Sequence, residues 1–360
     1  MSHNSPTAVA FYLPQFHPIP ENDAWWGTGF TEWTNVAKAQ PLFKGHEQPF
    51  LPSDLGFYDL RVPEAREQQA NLAKEAGVGA FAYWHYWFGD GRRLLERPLK
   101  EVLDSGKPDF PFCLAWANET WSGRWHGLDK KILMEQRYPG KADEAAFFYD
   151  SLPYFQDKRY LRREGACVFL VYRPNFLPEP ASFLNHWREL GAKEGIKFHF
   201  VGIGDAQCIH YGFDAWVANG PSVPMEAQFA NKLEKAWYRV FKQRWQKMLF
   251  PNQPERYAYA RYVQGMLNQP LGAKEYPLVL PNWDNTPRSG KRGVVLQGAT
   301  PQLYEQYLRK AVNALKERPS DFVFIKSWNE WAEGNVLEPS RTWGKGYIQA
   351  TAKVLKEQHG

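Results

Sequence analysis

The chain has 360 residues, 44% hydrophobic and 23% charged, which excludes a disordered polypeptide and allows one large barrel or two ordinary domains. The formal net charge is +5 with both signs interspersed, so no nucleic-acid footprint is evident; an acidic polysaccharide or phosphate-bearing substrate is permitted but not demanded. Aromatic residues reach 16%, with 16 Trp, and their flat apolar faces with polar edges suit a sugar ring as well as a core.

From the N-terminus, Met1 to Val9 shows neither a basic n-region nor an apolar h-region, and no apolar run is long enough to span a bilayer. A cytoplasmic location is therefore the expectation. Eight short runs rich in aromatic and β-branched residues read as strands: Val9–His17, Gly79–Phe88, Phe110–Asn118, Cys167–Arg173, Phe198–Gly204, Ala215–Asn219, Leu278–Asp284 and Phe322–Trp328. Segments of helical period fall near Pro63–Glu75, Leu95–Leu103, Ala142–Phe155, Pro180–Lys193, Met225–Leu249, Pro301–Glu317 and Gly346–Gln358.

Strand and helix alternate throughout, and several strands are almost continuously apolar, as expected when helices cover one side and a barrel interior the other. Eight strands favour a closed α/β barrel of the (β/α)8 TIM type over an open doubly wound sheet, with residues 1–360 as one catalytic domain. A nucleotide-binding turn is weakly represented: Gly202-Ile-Gly204 lacks the third small residue and lies mid-chain. Two stretches exceed ordinary loop length, residues 18–59 after the first strand and 221–277 between strands six and seven. They read as lids or binding loops. Cys113, Cys167 and Cys208 are odd in number and far apart, so they read as reduced core residues.

In such a barrel the active site sits at the carboxyl ends of the strands. Those ends carry His17; Tyr83 and His85; Trp116, Asn118 and Glu119; Arg173; Trp283, Asp284 and Asn285; and the run Trp328, Asn329, Glu330, Trp331, Glu333. Trp26 and Glu32 in the first long loop join them as candidate substrate contacts. Half-buried His residues are as often structural as functional, and Glu32 reads equally well as a local turn acid.

Glu330 and Glu333 form the sharpest constellation. Glycosidic cleavage needs one carboxylic acid to protonate the leaving oxygen and a carboxylate acting with it. On a turn after a strand, residues three apart share a face at roughly 5–6 Å, a spacing that fits retention better than inversion. The plain alternative is two solvated acids, but Trp328, Trp331 and the strand-end position argue against it. His17 and His126 lack metal-ligand spacing with any other His or Cys, so neither metal nor cofactor is expected, and no G-x-S-x-G nucleophile motif occurs.

The run SWNEWAEGNVLEP, Ser327 to Pro339, resembles the catalytic segment of glycoside hydrolase family 99, the endo-α-mannosidases and endo-α-mannanases. More of the chain resembles the related WbsX group of bacterial polysaccharide-locus proteins: AFYLPQFHPIPEND (Ala10–Asp23), WWGTGFTEWTNV (Trp25–Val36), YWHYWF (Tyr83–Phe88), FCLAWANETW (Phe112–Trp121) and PNWDNTPR (Pro281–Arg288). The resemblance implies a (β/α)8 barrel, an oligo- or polysaccharide substrate, retention of configuration and no required metal. It implies that Glu330 removes the proton of the sugar's own 2-hydroxyl, giving a 1,2-anhydro intermediate, while Glu333 protonates the departing oxygen.

The expected function is thus a retaining glycoside hydrolase acting on an α-linked glycan. One alternative is a glycosyltransferase of cell-surface polysaccharide (O-antigen) assembly, for which the basic residues Lys232 to Lys247 would hold a donor phosphate if they are more than a solvated helix face. A second is a non-catalytic glycan-binding barrel, which would have no need of two carboxylates in register.

Overall fold

Eight apolar segments build one parallel sheet: β1 (Thr7–Tyr12), β2 (Ala80–His85), β3 (Phe112–Trp116), β4 (Ala166–Val171), β5 (Phe198–Ile203), β6 (Ala215–Val217), β7 (Glu275–Tyr276 and Leu278–Val279) and β8 (Phe322–Ile325). This is the structure in a computed structural model, which describes residues 6–123, 132–222, 253–318 and 321–357, with Leu233, Ala236 and Met248 besides. Each strand pairs in parallel with its neighbours in chain order. The sheet then closes: β1 also pairs with β8, at Ala10 opposite Ile325.

Closure at β7 depends on Pro277. With no backbone N–H, proline cannot continue a ladder on both sides. The residues before it pair with β6 (Tyr276 opposite Val217), and those after it pair with β8 (Val279 opposite Ile325). The Pro277 carbonyl still accepts from Phe324 N–H at 2.9 Å. The seventh strand therefore begins three residues earlier than the sequence suggests, inside the stretch read as an excursion, and ends at Val279 rather than Asp284.

Period two decides which side chains face the barrel interior. Phe11 points inward, stacked on Trp84 at 5.0 Å and close to Phe324 at 5.6 Å. Tyr12 points outward, where its hydroxyl donates to Gln69 Oε1 at 2.6 Å on the helix Pro63–Ala76. The outer helices start where proline supplies the first turn, at Pro63, Pro180 and Pro301. Burying an outer-layer side chain such as Trp187, fully enclosed between helix and sheet, contributes on the order of 2–3 kcal/mol.

The two long excursions are partly ordered into elements the sequence did not announce. The first holds the helices Pro20–Trp26 and Glu32–Lys38, each only seven residues long. The second holds a strand, Glu255–Ala258, which pairs in parallel with Val294–Gln297, and a helix, Tyr259–Leu267. Apart from Leu233, Ala236 and Met248, the expected helix Met225–Leu249 lies outside the described residues, as do its basic residues Lys232 to Lys247 and His126. All three cysteines are free and buried. Among the described residues, no helix is long and apolar enough to cross a membrane.

Candidate active site

Beyond β8 the chain forms a small hairpin: Asn329 and Glu330 pair antiparallel with Val336 and Asn335 around a single 3-10 turn, Trp331–Glu333. Gly334 ends the turn at φ +68°, a left-handed conformation that side chains disfavour. A Cβ there would also lie 2.9 Å from the Asp284 backbone nitrogen, which donates to the Glu333 carbonyl at 2.7 Å. Both carboxylates thereby project into one pocket at the carboxyl ends of the strands.

Arg288 joins them. Its Nη1 lies 2.6 Å from Glu333 Oε1 and 3.5 Å from Glu330 Oε2, and its Nε donates to Glu32 Oε1 at 2.7 Å. Sharing one nitrogen keeps the two carboxylates closer than the roughly 6.5–9.5 Å of inverting pairs. Their charges diverge. Burial and then the neighbouring Glu333 push Glu330 well above the usual carboxylate range. Burial would raise Glu333 as well, but the Arg288 guanidinium and the Lys326 ammonium pull it down to about 2. The two carboxyls titrate as a pair, with burial and mutual repulsion raising Glu330 and the Arg288 contact favouring ionisation of Glu333.

The cavity is about 290 Å³. Aromatic walls come from Trp84 and Tyr86 on and beyond β2, Trp121 beyond β3, and Trp26 and Phe30 in the first excursion. Lys326, one residue past β8, lines the floor, with its ammonium over the rings of Trp283 (5.5 Å) and Trp84 (5.9 Å). Gln15, Asn35 and Tyr172 add polar edges.

Of the residues singled out from sequence, Glu330, Glu333, Glu32, Glu119 and Trp26 line this pocket. Others at the strand ends face away from it. Tyr83 packs outward on Tyr12 at 4.4 Å. His85 stacks on Phe147 in the helical layer, and burial lowers its pKa to about 4, which leaves it neutral. Trp116 lies among Phe147 and Phe183 and donates from Nε1 to the Trp87 carbonyl. His17 is buried, with Nδ1 3.0 Å from the Pro14 carbonyl.

A third group shapes the pocket from behind. Asn329 bonds both peptide groups of Leu13, accepting its N–H at 2.7 Å and donating to its carbonyl at 3.0 Å. Trp331 packs between Trp33 and Phe50 and donates from Nε1 to Glu338 at 2.7 Å, while Trp328 is fully enclosed against Phe81. Asn118 brackets Arg173, taking its N–H and donating to its carbonyl. Asp284 accepts from Gln48 and Thr286 and pairs with His46, whose other ring nitrogen takes the Leu42 N–H. Asn285 accepts the Val294 N–H at 2.7 Å. Arg173 lies over the Tyr172 ring, and Trp283 under Lys326.

Arg288 and Lys326 were not singled out from sequence, and of the strand-end run Tyr83 to Trp87 the chosen contacts were Tyr83 and His85 rather than Trp84 and Tyr86. Strict alternation along β2 would have separated Trp84 and Tyr86 from Tyr83 and His85, and Arg288 closes the quoted run PNWDNTPR. Glu338 gave no signal at all. It is fully buried, and burial pushes it up to about 7 despite hydrogen bonds from Gln69, Trp331 and Tyr58.

These features define an α/β-barrel protein whose pocket of indoles and carboxylates lies at the strand ends. The chain belongs to the family described as Glycosyltransferase WbsX, whose profile it matches over residues 8–351. It is 40% identical over 358 residues to the uncharacterized protein WxcX of Xanthomonas campestris pv. campestris strain B100, covering 97% of this chain and 49% of that one. The chain thus spans about half the length of the curated relatives it matches. Among solved structures it is similar to the GH99 endo-alpha-mannosidase of Bacteroides thetaiotaomicron, at TM-score 0.54 and 18% identity over 98% of this chain and 97% of that one. It is also similar to a glycoside hydrolase-like protein, at TM-score 0.58 and 14% identity over 98% and 94% of the two chains. These likenesses establish the shared barrel fold.

Proposed function

We propose that the chain is a carbohydrate-active enzyme, a retaining glycoside hydrolase that cleaves an α-linked glycan in the pocket around Glu330 and Glu333. The observation that carries this reading is the pair itself: two buried carboxylates on one turn, sharing one arginine, in a pocket walled by indoles. Residues 1–360 act as one catalytic unit in this account. Glu330 takes the proton of the sugar 2-hydroxyl, whose oxygen attacks the anomeric carbon as Glu333 protonates the leaving oxygen. Water then opens the 1,2-anhydro ring, with Glu333 as base and Glu330 returning the proton.

These roles run against the directions in the unliganded pair, in which burial and Glu333 raise Glu330 while Arg288 and Lys326 lower Glu333. Arg288 supplies the means of reversing them. A small shift of its Nη1 from Glu333 toward Glu330 favours an ionised Glu330 and lets a proton pass to Glu333. The tight Arg288–Glu333 contact favours a second assignment, with Glu330 as acid and Glu333 as base, which needs no such shift.

The family's description supports transfer as a variant of the same chemistry, with an acceptor sugar in place of water. Incubating the protein with a panel of α-linked mannans and bacterial O-polysaccharides, and following reducing ends, tests hydrolysis. Release by the native protein and not by Glu333→Gln is the expected result. Absence of release from every glycan, with transfer observed from an activated donor, would replace hydrolysis by transfer.

A further inference from the structure

Two residues lining the pocket, Tyr172 and Lys326, belong to one chain of hydrogen-bond donors, with the Glu119 carboxylate at its far end. Lys326 is buried, and among the described residues its ammonium has no carboxylate within 4 Å; its hydrogen-bond partner is Asn219 Oδ1 at 3.3 Å. An ammonium only donates, which fixes the Asn219 amide with its oxygen toward Lys326 and its nitrogen toward Tyr172. Asn219 Nδ2 accordingly donates to the Tyr172 hydroxyl at 3.0 Å, and Arg173 Nη2 donates to the same oxygen at 3.3 Å. With two donors on its oxygen, the Tyr172 hydroxyl keeps its own proton for something else. Arg173 Nε, buried and without a hydrogen-bond acceptor, is 3.7 Å from the nearest carboxylate, Glu119. A relay of Arg173, Tyr172, Asn219 and Lys326 thus carries a cation at each end.

The pocket's cations are held differently, although both Arg288 and Lys326 act on Glu333. Glu32, Glu330 and Glu333 gather around Arg288, whereas Lys326 is held by two indole faces and an amide. A sugar hydroxyl both donates and accepts, so against a wall of donors its proton would go unpaired. A group that only accepts, with negative charge, suits both donors that reach the pocket, the Lys326 ammonium and the Tyr172 hydroxyl.

We propose that this wall is a subsite for an anionic substituent on the saccharide, either the carboxylate of a hexuronic-acid residue or the phosphate of a glycosyl phosphate. The inference rests on the saccharide reading of the pocket and narrows its substrate class. Desolvation by the flanking indoles strengthens the attraction between Lys326 and such a group relative to a surface lysine.

The test is calorimetric titration of the full chain with the methyl glycosides of D-glucuronic and D-mannuronic acid, the matching neutral hexosides, the two hexose 1-phosphates and inorganic phosphate. At least one uronoside or hexose phosphate is expected to bind about tenfold or more tighter than its neutral counterpart. Lys326→Met should bring that ligand down to the neutral level, and the ligand that shows the margin identifies the source of the charge. Equal binding of neutral and anionic sugars by the native protein overturns the inference and leaves the saccharide reading standing. Inorganic phosphate binding as tightly as the hexose phosphates, with no uronoside margin, overturns the saccharide reading together with the inference. Binding by none of the probes at tens of millimolar contradicts both.

Discussion

Arg288 reaches Glu333 at 2.6 Å from the same nitrogen that stands 3.5 Å from Glu330, so one cation bears unequally on two buried carboxyls. Glu32, on the first helix-bearing excursion, fixes the other side of the guanidinium at 2.7 Å. The pair's chemistry is thereby tied to a loop some 300 residues away in sequence.

Replacing Arg288 by Met should remove the charge that holds Glu333 down. A carboxyl whose folded pKa is depressed stabilises the protein above its unfolded value near 4.5, and that contribution is lost as pH falls toward about 2. At pH 6 the variant leaves Glu333 buried without its partner and should lose about 3–5 kcal/mol of stability. The deficit should narrow below pH 4.5. Urea denaturation of both proteins between pH 3 and pH 7 checks this, and a deficit independent of pH would mean that Arg288 acts by packing alone.

Glu338 predicts the opposite slope. Its folded pKa is raised from 4.5 to about 7, so its contribution is fully present below pH 4.5 and lost as pH rises through 7. The shift corresponds to about 3 kcal/mol between pH 5 and pH 8.5. Glu338→Gln should lack this slope, although it is less stable at pH 5 because its amide meets the donors of Gln69 and Trp331. Thermal melts of the two proteins across this range would show it.

Gly334→Ala should cost about 1–3 kcal/mol, since a side chain at φ +68° is strained and its Cβ would press on Asp284. Activity should fall further than stability, because the Glu333 carbonyl and the Asp284 N–H are pushed apart. Comparing chemical denaturation with kcat/KM separates the two effects; a stability loss with full activity would show that the turn tolerates the shift.

The two faces of β2 make a paired prediction. Trp84→Ala removes an indole from the pocket and should weaken saccharide binding by about tenfold or more. His85→Phe, one residue on, should leave binding within about twofold, because His85 stacks among the outer helices. Titration of both variants with a bound oligosaccharide tests the inward and outward assignment.

The eight barrel strands were legible because each is an apolar run long enough to be covered on both sides, and the proline-initiated outer helices were legible at their first residue, with Pro180–Lys193 matched at both ends. β7 was less so: Pro277 splits it, and each half is only two residues long. At the site, residue type and strand-end position identified Glu330 and Glu333 but did not say which side chains face inward, since Tyr83 and Trp84 look alike in a list. Lys326 and Glu338 were hidden for another reason. A lysine after Phe-Val-Phe-Ile reads as the solvated end of a strand, and a glutamate before proline reads as a surface turn. Only the folded chain shows that both are buried.

The proposed retaining cleavage has Glu330 as its base and Glu333 as its acid. Its most direct test is proton NMR of the first-formed product, using a natural glycan and an aryl glycoside for the native protein, Glu330→Gln and Glu333→Gln. The expected result is retained α configuration, loss of turnover of both substrates in Glu330→Gln, and surviving turnover of the aryl glycoside alone in Glu333→Gln, because phenolate leaves without a proton. Inverted product, or the survival pattern exchanged between the two variants, would contradict it.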